Sequence, residues 1–467
     1  MIKIILLLLY ISLPLLVIFV ERKNPTEALL WVIVLLCFPY FGAFLYLIFG
    51  STISIKLTAF IRKRKLKKYI QNKKIKSLEI PENILSETDK EVGLFNYVYN
   101  ESKITCYDTA KVFISGKEHY EQLFEDIKNA KECIFIEFYT IHNDIIGNKL
   151  VEVLTKKAKE GVLVLIMFDF IANLKTPNKM FKTLIKEGGK VVRLKPYLTH
   201  YRSHRKIVTV DHKISYIGGM NIGKQYANMG KKKKPWRDTQ VRLEGACTSI
   251  LDEFFIEDWL CAVGHKMYEK TVLDINKISV RNYHKTKNIC QFVIGGVETN
   301  KESVKMSYLS MIRSAKNKIC IQSPYFIPDV SILDALKTAA ASGIEIKLMI
   351  PKIKASFFLD PLTTYYSGQI MQYGAKVYKY DGYIHAKTMI VDDEICCIGS
   401  VNMDMRSLMV DDEICGVFYE NNFVNNYLNI FTKDMNNCEE YKFDSFINRS
   451  TKEKFLESIL IPFAPIF

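Results

Sequence analysis

The sequence predicts an α/β protein made by internal duplication, with two mixed β-sheets flanked by helices and related by a pseudo-twofold axis. This duplicated unit is set behind an N-terminal two-helix transmembrane hairpin. Three observations carry that reading: two long apolar runs near the N-terminus, a dense basic segment directly after them, and an eight-residue pattern that occurs twice. A chain of 467 residues, 49% hydrophobic, can bury more than one core and calls for at least two units.

Residues 1–54 are read as the hairpin. Uncharged runs from Ile4 to Val20 and from Ala28 to Phe49 flank the charged turn Glu21 to Glu27. As helices rising about 1.5 Å per residue they would reach roughly 25 and 33 Å, against a hydrocarbon thickness of about 30 Å. A cleaved signal peptide is the rival for the first run, but no Ala-x-Ala-like site precedes Glu21 and a second apolar run follows. Pro14 and Pro39 are tolerated in membrane helices, and Trp31, Tyr40 and Tyr46 supply amphipathic rings.

Residues 55–100 are read as a basic juxtamembrane linker. Ten Lys and Arg side chains fall between Lys56 and Lys76, against two basic and two acidic residues in the turn from Glu21 to Glu27. The positive-inside rule then puts the linker and all that follows in the cytoplasm, at the cell membrane. The net charge of +15 calls for an anionic partner, and its placement beside a hairpin favours anionic lipid over nucleic acid. Eleven cysteines without CxxC spacing indicate neither a disulfide framework nor a zinc site, and Cys396 and Cys397 read as strand residues.

Residues 101–285 and 286–467 are read as the two copies. Ala130 to Glu137 is repeated by Ala315 to Gln322, and Glu160 to Met167 by Ser342 to Met349. Segments of helical spacing, Lys149 to Lys159 and Ile332 to Ala341, lie between them, which gives strand, helix, strand in each half. The Phe357-Phe358 and Tyr365-Tyr366 pairs read as core, with an acyl entrance as the other reading, and the apolar C-terminus from Leu460 is too short to span.

The repeated pattern is His-x-Lys-x4-Asp, His204, Lys206 and Asp211 in the first half and His385, Lys387 and Asp392 in the second. Seven residues after each aspartate begins a small-residue turn with an asparagine, Gly218-Gly219-Met220-Asn221 and Gly399-Ser400-Val401-Asn402. Strand alternation sends His and Lys of each copy to one face. Two histidines brought together supply one nucleophile and one proton donor. Lysine and asparagine donors suit the non-bridging oxygens of a phosphodiester, where charge develops on attack. Asp238 and Glu413 are the candidate carboxylates for fixing the histidine tautomers, and Ser400 joins the supporting set. Asp211 and Asp392 complete the motif, with turn capping or buried hydrogen bonding as their local reading. No metal and no cofactor is called for.

The chain resembles bacterial cardiolipin synthases of the phospholipase D superfamily over essentially its whole length. The resemblance is carried by the two motifs and by Asn24-Pro25-Thr26-Glu27, Ile217 to Gly223, Trp236-Arg237-Asp238-Thr239, Pro324 to Asp329 and Asn402 to Ser407. Ser203, where asparagine is expected, and the run Lys231 to Lys234 depart from it. The resemblance implies metal-free phosphatidyl transfer between two phosphatidylglycerol molecules through a phosphatidyl-histidine, with His204 as the favoured nucleophile. A membrane-bound phospholipase D, a nuclease of the same superfamily and a silent lipid-binding scaffold are the other readings. Apolar flanks disfavour the nuclease and two intact motifs disfavour the scaffold.

Overall fold

The computed structural model describes residues 11–21, 25–51, 53–70, 87–195, 202–230, 235–275, 285–296, 302–354 and 356–466. Each half of the duplicated region holds one mixed sheet. In the first the strand order is Thr109–Phe113, Gln240–Glu244, Ile214–Gly218, Ile207–Val210, Cys133–Phe138, Leu163–Asp169 and Lys190–Leu194. The last three run parallel to one another and the rest pair antiparallel.

The second sheet repeats that order with Ile289–Gly295, Glu413–Phe418, Ile395–Gly399, Thr388–Val391, Lys318–Gln322, Glu345–Pro351 and Lys376–Tyr380. Its two parallel pairings fall at the same places. Helices Ile145–Lys159 and Val330–Ala341 make the equivalent crossovers, each started by an aspartate, Asp144 or Asp329, whose carboxylate accepts from backbone N–H groups of the first turn.

The second sheet is longer at both edges. Thr105–Cys106, expected within the first half, pairs with Ile289–Gly295, and Cys438–Tyr441 pairs with Lys376–Tyr380. Helix Glu87–Asn100 likewise packs on helix Ser303–Ser314 of the second half. The two sheets face each other across a shared apolar layer in which Ile207, Ile217 and Val241 meet Ile390, Ile398 and Ile414. Gly416 marks how close that contact is, because a Cβ there would lie 2.7 Å from Ile217 Cδ1.

The N-terminal region departs from two uninterrupted spans. No single helix among the described residues is long and apolar enough to cross a membrane. The second apolar run is divided into helices Pro25–Cys37 and Pro39–Leu45 and a π-helix, Tyr46–Gly50. Pro39 pushes the residue before it out of the helical region, and Phe38 has φ −131° and ψ 70°. Residues 4–10 of the first run lie outside the described residues, as do His200, Tyr201 and Lys231 to Lys234.

The basic segment is not a bare linker. Helix Ile53–Ile70 packs on helix Cys247–Ala262, and Arg62 is buried between Asp258 and Asp412, with Nη1 2.8 Å from Asp412 Oδ2. The core reading of Phe357 and Phe358 is overturned, since they are 68% and 49% exposed, whereas Tyr366 is buried. They fall in the turn that starts helix Leu359–Met371, whose inward positions are taken by Leu362, Tyr366 and Ile370. At the C-terminus Leu460 and Ala464 are buried while Phe463 stays exposed.

Candidate active site

Each motif histidine stands just before a short buried strand, Ile207–Val210 or Thr388–Val391, in the middle of its sheet. Both are held in place by the opposite half. The His204 N–H donates to Asp412 O at 2.8 Å, and the Asp412 N–H donates to Arg202 O at 2.9 Å. In the matching place, Tyr383–Ile384 pairs in parallel with Trp236–Arg237, and the His385 N–H donates to Arg237 O at 2.6 Å.

These crossings deliver the carboxylates. Glu413, from the second half, lies 2.8 Å from His204 Nδ1, and Asp238, from the first half, lies 2.6 Å from His385 Nδ1. Asp238 and Glu413 are essentially inaccessible to water, so these contacts are short, dry and geometrically strict. A carboxylate on Nδ1 holds the Nδ1–H tautomer and leaves Nε2 as the reactive nitrogen.

The two carboxylates are supported differently. Ser400 Oγ donates to Glu413 Oε2 and itself accepts from the Ile414 N–H at 3.0 Å. The equivalent position in the first half is Gly219, where a Cβ would lie 2.2 Å from Asp238 Oδ1. Asp238 is held there by the Thr239 N–H at 2.7 Å. The longer Glu needs a side-chain support, whereas the shorter Asp needs the absence of a side chain.

The lysines complete one positive site. Lys206 Nζ donates to His204 O, and Lys387 Nζ donates to His385 O and lies 2.9 Å from His385 Nδ1. Burial lowers Lys206 to about 7 and Lys387 to about 8. Burial also holds His204 well below its ordinary range, with Lys206 and Lys387 adding to the shift. His385 is lowered to about 4, by burial and then Lys387, with Asp238 opposing. Each lysine therefore acts on the histidine of the other motif, so the two motifs form one electrostatic unit.

The carboxylates diverge in the same field. Burial pushes Glu413 up to about 7, against the pull of Lys206 and Ser400. Asp238 is buried too, yet His385 and Lys387 hold it below its ordinary value. Near neutral pH, before substrate binds, burial thus favours uncharged imidazoles, while Asp238 stays ionised and Glu413 exchanges a proton.

Asn221 and Asn402, the candidate phosphate donors, are placed unequally. The Asn221 amide accepts from the Thr140 N–H at 3.1 Å and donates to the Tyr226 hydroxyl at 2.7 Å. Asn402 Oδ1 is buried with no hydrogen-bond partner among the described residues. Asp211 and Asp392 stand at the far ends of their strands, roughly 16 Å from the lysines by strand rise. Asp211 accepts from the backbone N–H groups of Lys131, Glu132 and Cys133, and Asp392 from those of Lys316, Asn317 and Lys318. Their φ angles of 52° and 49° suit aspartate in a tight left-handed turn. They fix the loop that starts strand Cys133–Phe138 or Lys318–Gln322.

Arg205, Tyr139, Tyr226 and Tyr383 went unflagged in the sequence. Arg205, the middle residue of the first His-x-Lys, is buried, pairs with Asp258, and donates to Gly295 O at 2.7 Å and Glu413 O at 3.2 Å. Its counterpart is the buried Ala386, and that Arg/Ala difference was the available signal. Ser203 donates to Glu137 Oε1 at 2.6 Å, so the departure from asparagine has a partner. Tyr139 lies 4.8 Å from the His204 ring, whereas Trp236, Tyr226 and Tyr383 surround His385 at 5.2, 6.0 and 6.0 Å.

Comparison with known proteins agrees with this geometry. Residues 123–231 and 308–435 match the family model described as cardiolipin synthase, PLD-like domain, and residues 5–51 match the phospholipase D-nuclease N-terminal model. The chain is 34% identical over 484 residues to the cardiolipin synthase of Listeria welshimeri, covering 99% of this chain and 98% of that protein. It is 32% identical to the major cardiolipin synthase ClsA of Bacillus subtilis, covering 98% and 97%. Among solved structures, phosphatidylserine synthase from Haemophilus influenzae superposes with a TM-score of 0.60 at 15% identity, over 80% of this chain and 98% of that one, which shows a shared fold. With the family model matched in both halves and relatives aligned end to end, the chain belongs to the cardiolipin synthase family and carries its duplicated PLD-like domain.

Proposed function

We propose that this chain transfers a phosphatidyl group from one phosphatidylglycerol to another, releasing glycerol and forming cardiolipin. The observation that carries the proposal is the reciprocal pairing of His204 with Glu413 and His385 with Asp238 beside two buried lysines. The negative charge of the bound phosphodiester raises the proton affinity of His385, so that its Nε2 is protonated in the complex. His204 Nε2 attacks phosphorus, the bond from phosphorus to the glycerol oxygen breaks, and His385 gives its Nε2 proton to that oxygen. His385 then takes the proton of a primary hydroxyl on the second phosphatidylglycerol. That oxygen attacks phosphorus and the bond to His204 breaks.

The unequal carboxylates support this division of roles. Asp238 stays ionised and favours a proton on His385, whereas Glu413 is pushed towards neutrality and burial, with Lys206 and Lys387, holds His204 well below its ordinary range. An arriving phosphodiester raises the proton affinity of Lys206 and Lys387 and so charges the two donors that hold its oxygens. Asn402 Oδ1, unpartnered among the described residues, is an acceptor with which to orient a lipid hydroxyl or a water.

The test is to supply the purified enzyme with phosphatidylglycerol alone, with and without EDTA, and to analyse the products. Cardiolipin and glycerol in equal amounts, unchanged by EDTA, are expected. Phosphatidic acid as the sole lipid product would replace the synthase reading with a membrane-bound phospholipase D, and dependence on a divalent ion would count against lysine and asparagine as the phosphate-holding groups.

The N-terminal segments are proposed to cross the cell membrane twice, the second as the kinked helical stretch from Pro25 to Gly50, leaving the catalytic halves in the cytoplasm. Exposed Leu29, Ile33, Leu36, Phe41, Phe44 and Leu47 support an apolar surrounding for that stretch. In a cysteine-free background, a cysteine placed between positions 21 and 27 should react with an impermeant reagent in intact cells, whereas one between 231 and 234 should not. The reverse pattern would place the active site outside.

A further inference from the structure

The turn at Phe357-Phe358 presents two phenyl rings to solvent, packed edge to face with centroids 5.3 Å apart. It is a built turn. The Ser356 N–H donates to Asp360 Oδ2 at 2.8 Å, and Ser356 Oγ accepts from the N–H groups of Phe358 and Leu359 at 3.3 and 3.1 Å. Those bonds start helix Leu359–Met371 and hold both rings away from the core.

The turn stands beside the second histidine. The Lys352 N–H donates to Tyr380 O at 2.9 Å and the Ile353 N–H to Gly382 O at 3.4 Å, so the chain entering the turn runs along the segment that continues to Tyr383 and His385. The first turns of the helix reach the same wall, where Thr363 Oγ1 accepts from the Phe326 N–H at 3.2 Å and the Tyr325 and Tyr383 hydroxyls are 2.9 Å apart. Tyr383 then meets Trp236 at 4.6 Å, and Trp236 meets His385 at 5.2 Å. Tyr325, Tyr383 and Trp236 therefore line the wall between His385 and the segments that lead into and out of the turn.

The His204 side differs. Beyond Tyr139 its surroundings are polar, with Arg406 paired to Asp411 at 2.8 Å and the Arg202 N–H donating to Asp411 at 3.1 Å. Exposed Lys352 and Lys354 precede the phenylalanines, with Lys352 paired to Glu439, so the apolar rings have cationic neighbours that suit an anionic lipid surface.

We infer that the Phe357-Phe358 turn is a lipid-interface wedge that seats the acceptor phosphatidylglycerol on the His385 side of the site. The inference rests on the phosphatidyl-transfer reading above. In an in-line displacement at phosphorus, glycerol leaves opposite His204, on the His385 side, and the hydroxyl of the second lipid must arrive there. That lipid brings two acyl chains with it, whereas free glycerol brings none. An apolar wedge at this mouth therefore serves the lipid acceptor and is dispensable for glycerol.

The experiment compares the full-length enzyme with the double variant Phe357→Ser/Phe358→Ser in phosphatidylglycerol vesicles. Cardiolipin formation is read beside incorporation of isotopically labelled glycerol into phosphatidylglycerol, which needs only the phosphatidyl-enzyme and glycerol. Cardiolipin formation should fall about tenfold while glycerol exchange stays within about twofold. The variant Phe357→Leu/Phe358→Leu should restore both. Equal loss of the two reactions would overturn the acceptor assignment, as would no loss of either. A wild-type enzyme that catalyses neither reaction would instead remove the phosphatidyl-transfer reading beneath it.

Discussion

Alanine at either His204 or His385 is expected to lower cardiolipin formation by about 10⁴-fold or more, because one side chain makes and breaks the bond to phosphorus and the other moves the proton. The fold should persist in both variants. Glu413 keeps the Ser400 hydroxyl and Asp238 keeps the Thr239 N–H when the imidazole is gone. Assays on phosphatidylglycerol vesicles beside thermal unfolding would check both statements, and substantial residual turnover in either variant would sink a single shared site.

The same variants assign the nucleophile. A phosphatidyl ester with a nitrophenol leaving group needs no proton donor for its first step. His385→Ala should then release one equivalent of nitrophenolate and stall as a phosphatidyl adduct on His204, while His204→Ala should release none. A burst from His204→Ala alone would exchange the roles.

Neutralising the paired carboxylates is expected to have the next largest effect, about 10²- to 10⁴-fold in kcat for Asp238→Asn and for Glu413→Gln, through loss of tautomer control. The pH dependence should separate them. Asp238 is ionised in the working range, and its charge raises the proton affinity of His385. Asparagine removes that charge, His385 loses its proton at lower pH, and the alkaline limb of kcat should move towards acid. Glu413 already takes up a proton near pH 7. The wild-type enzyme therefore comes to resemble Glu413→Gln as pH falls, and their activity ratio should shrink from pH 8 to pH 6. A constant ratio would mean that Glu413 stays ionised throughout.

Much of the fold was legible because its signals are local. Crossover helices and buried strands announce themselves by spacing within a dozen residues, and the repeat doubles each signal. Misreadings arose where composition was read without a local capping signal or where the deciding contact is remote. Phe357 and Phe358 look like core by composition, but Ser356 and Asp360 start a helix that points them outward. Residues 55–100 read as a linker by charge, but within them Arg62 finds Asp258 and Asp412 at separations of 196 and 350 residues.

By itself, the sequence determined the family of chemistry: two His-x-Lys motifs, each beside a small-residue turn, and two carboxylates in reach of no obvious partner. Which carboxylate serves which histidine was decided only by the tertiary structure. Glu413 meets His204 across 209 residues and Asp238 meets His385 across 147, each pair formed between halves. A motif is held by strand and turn geometry over a few residues, whereas these pairs exist only where two sheets pack face to face across Ile207, Ile217, Ile390 and Ile398. That packing sums many apolar contacts distributed along the chain, and no local pattern encodes its register.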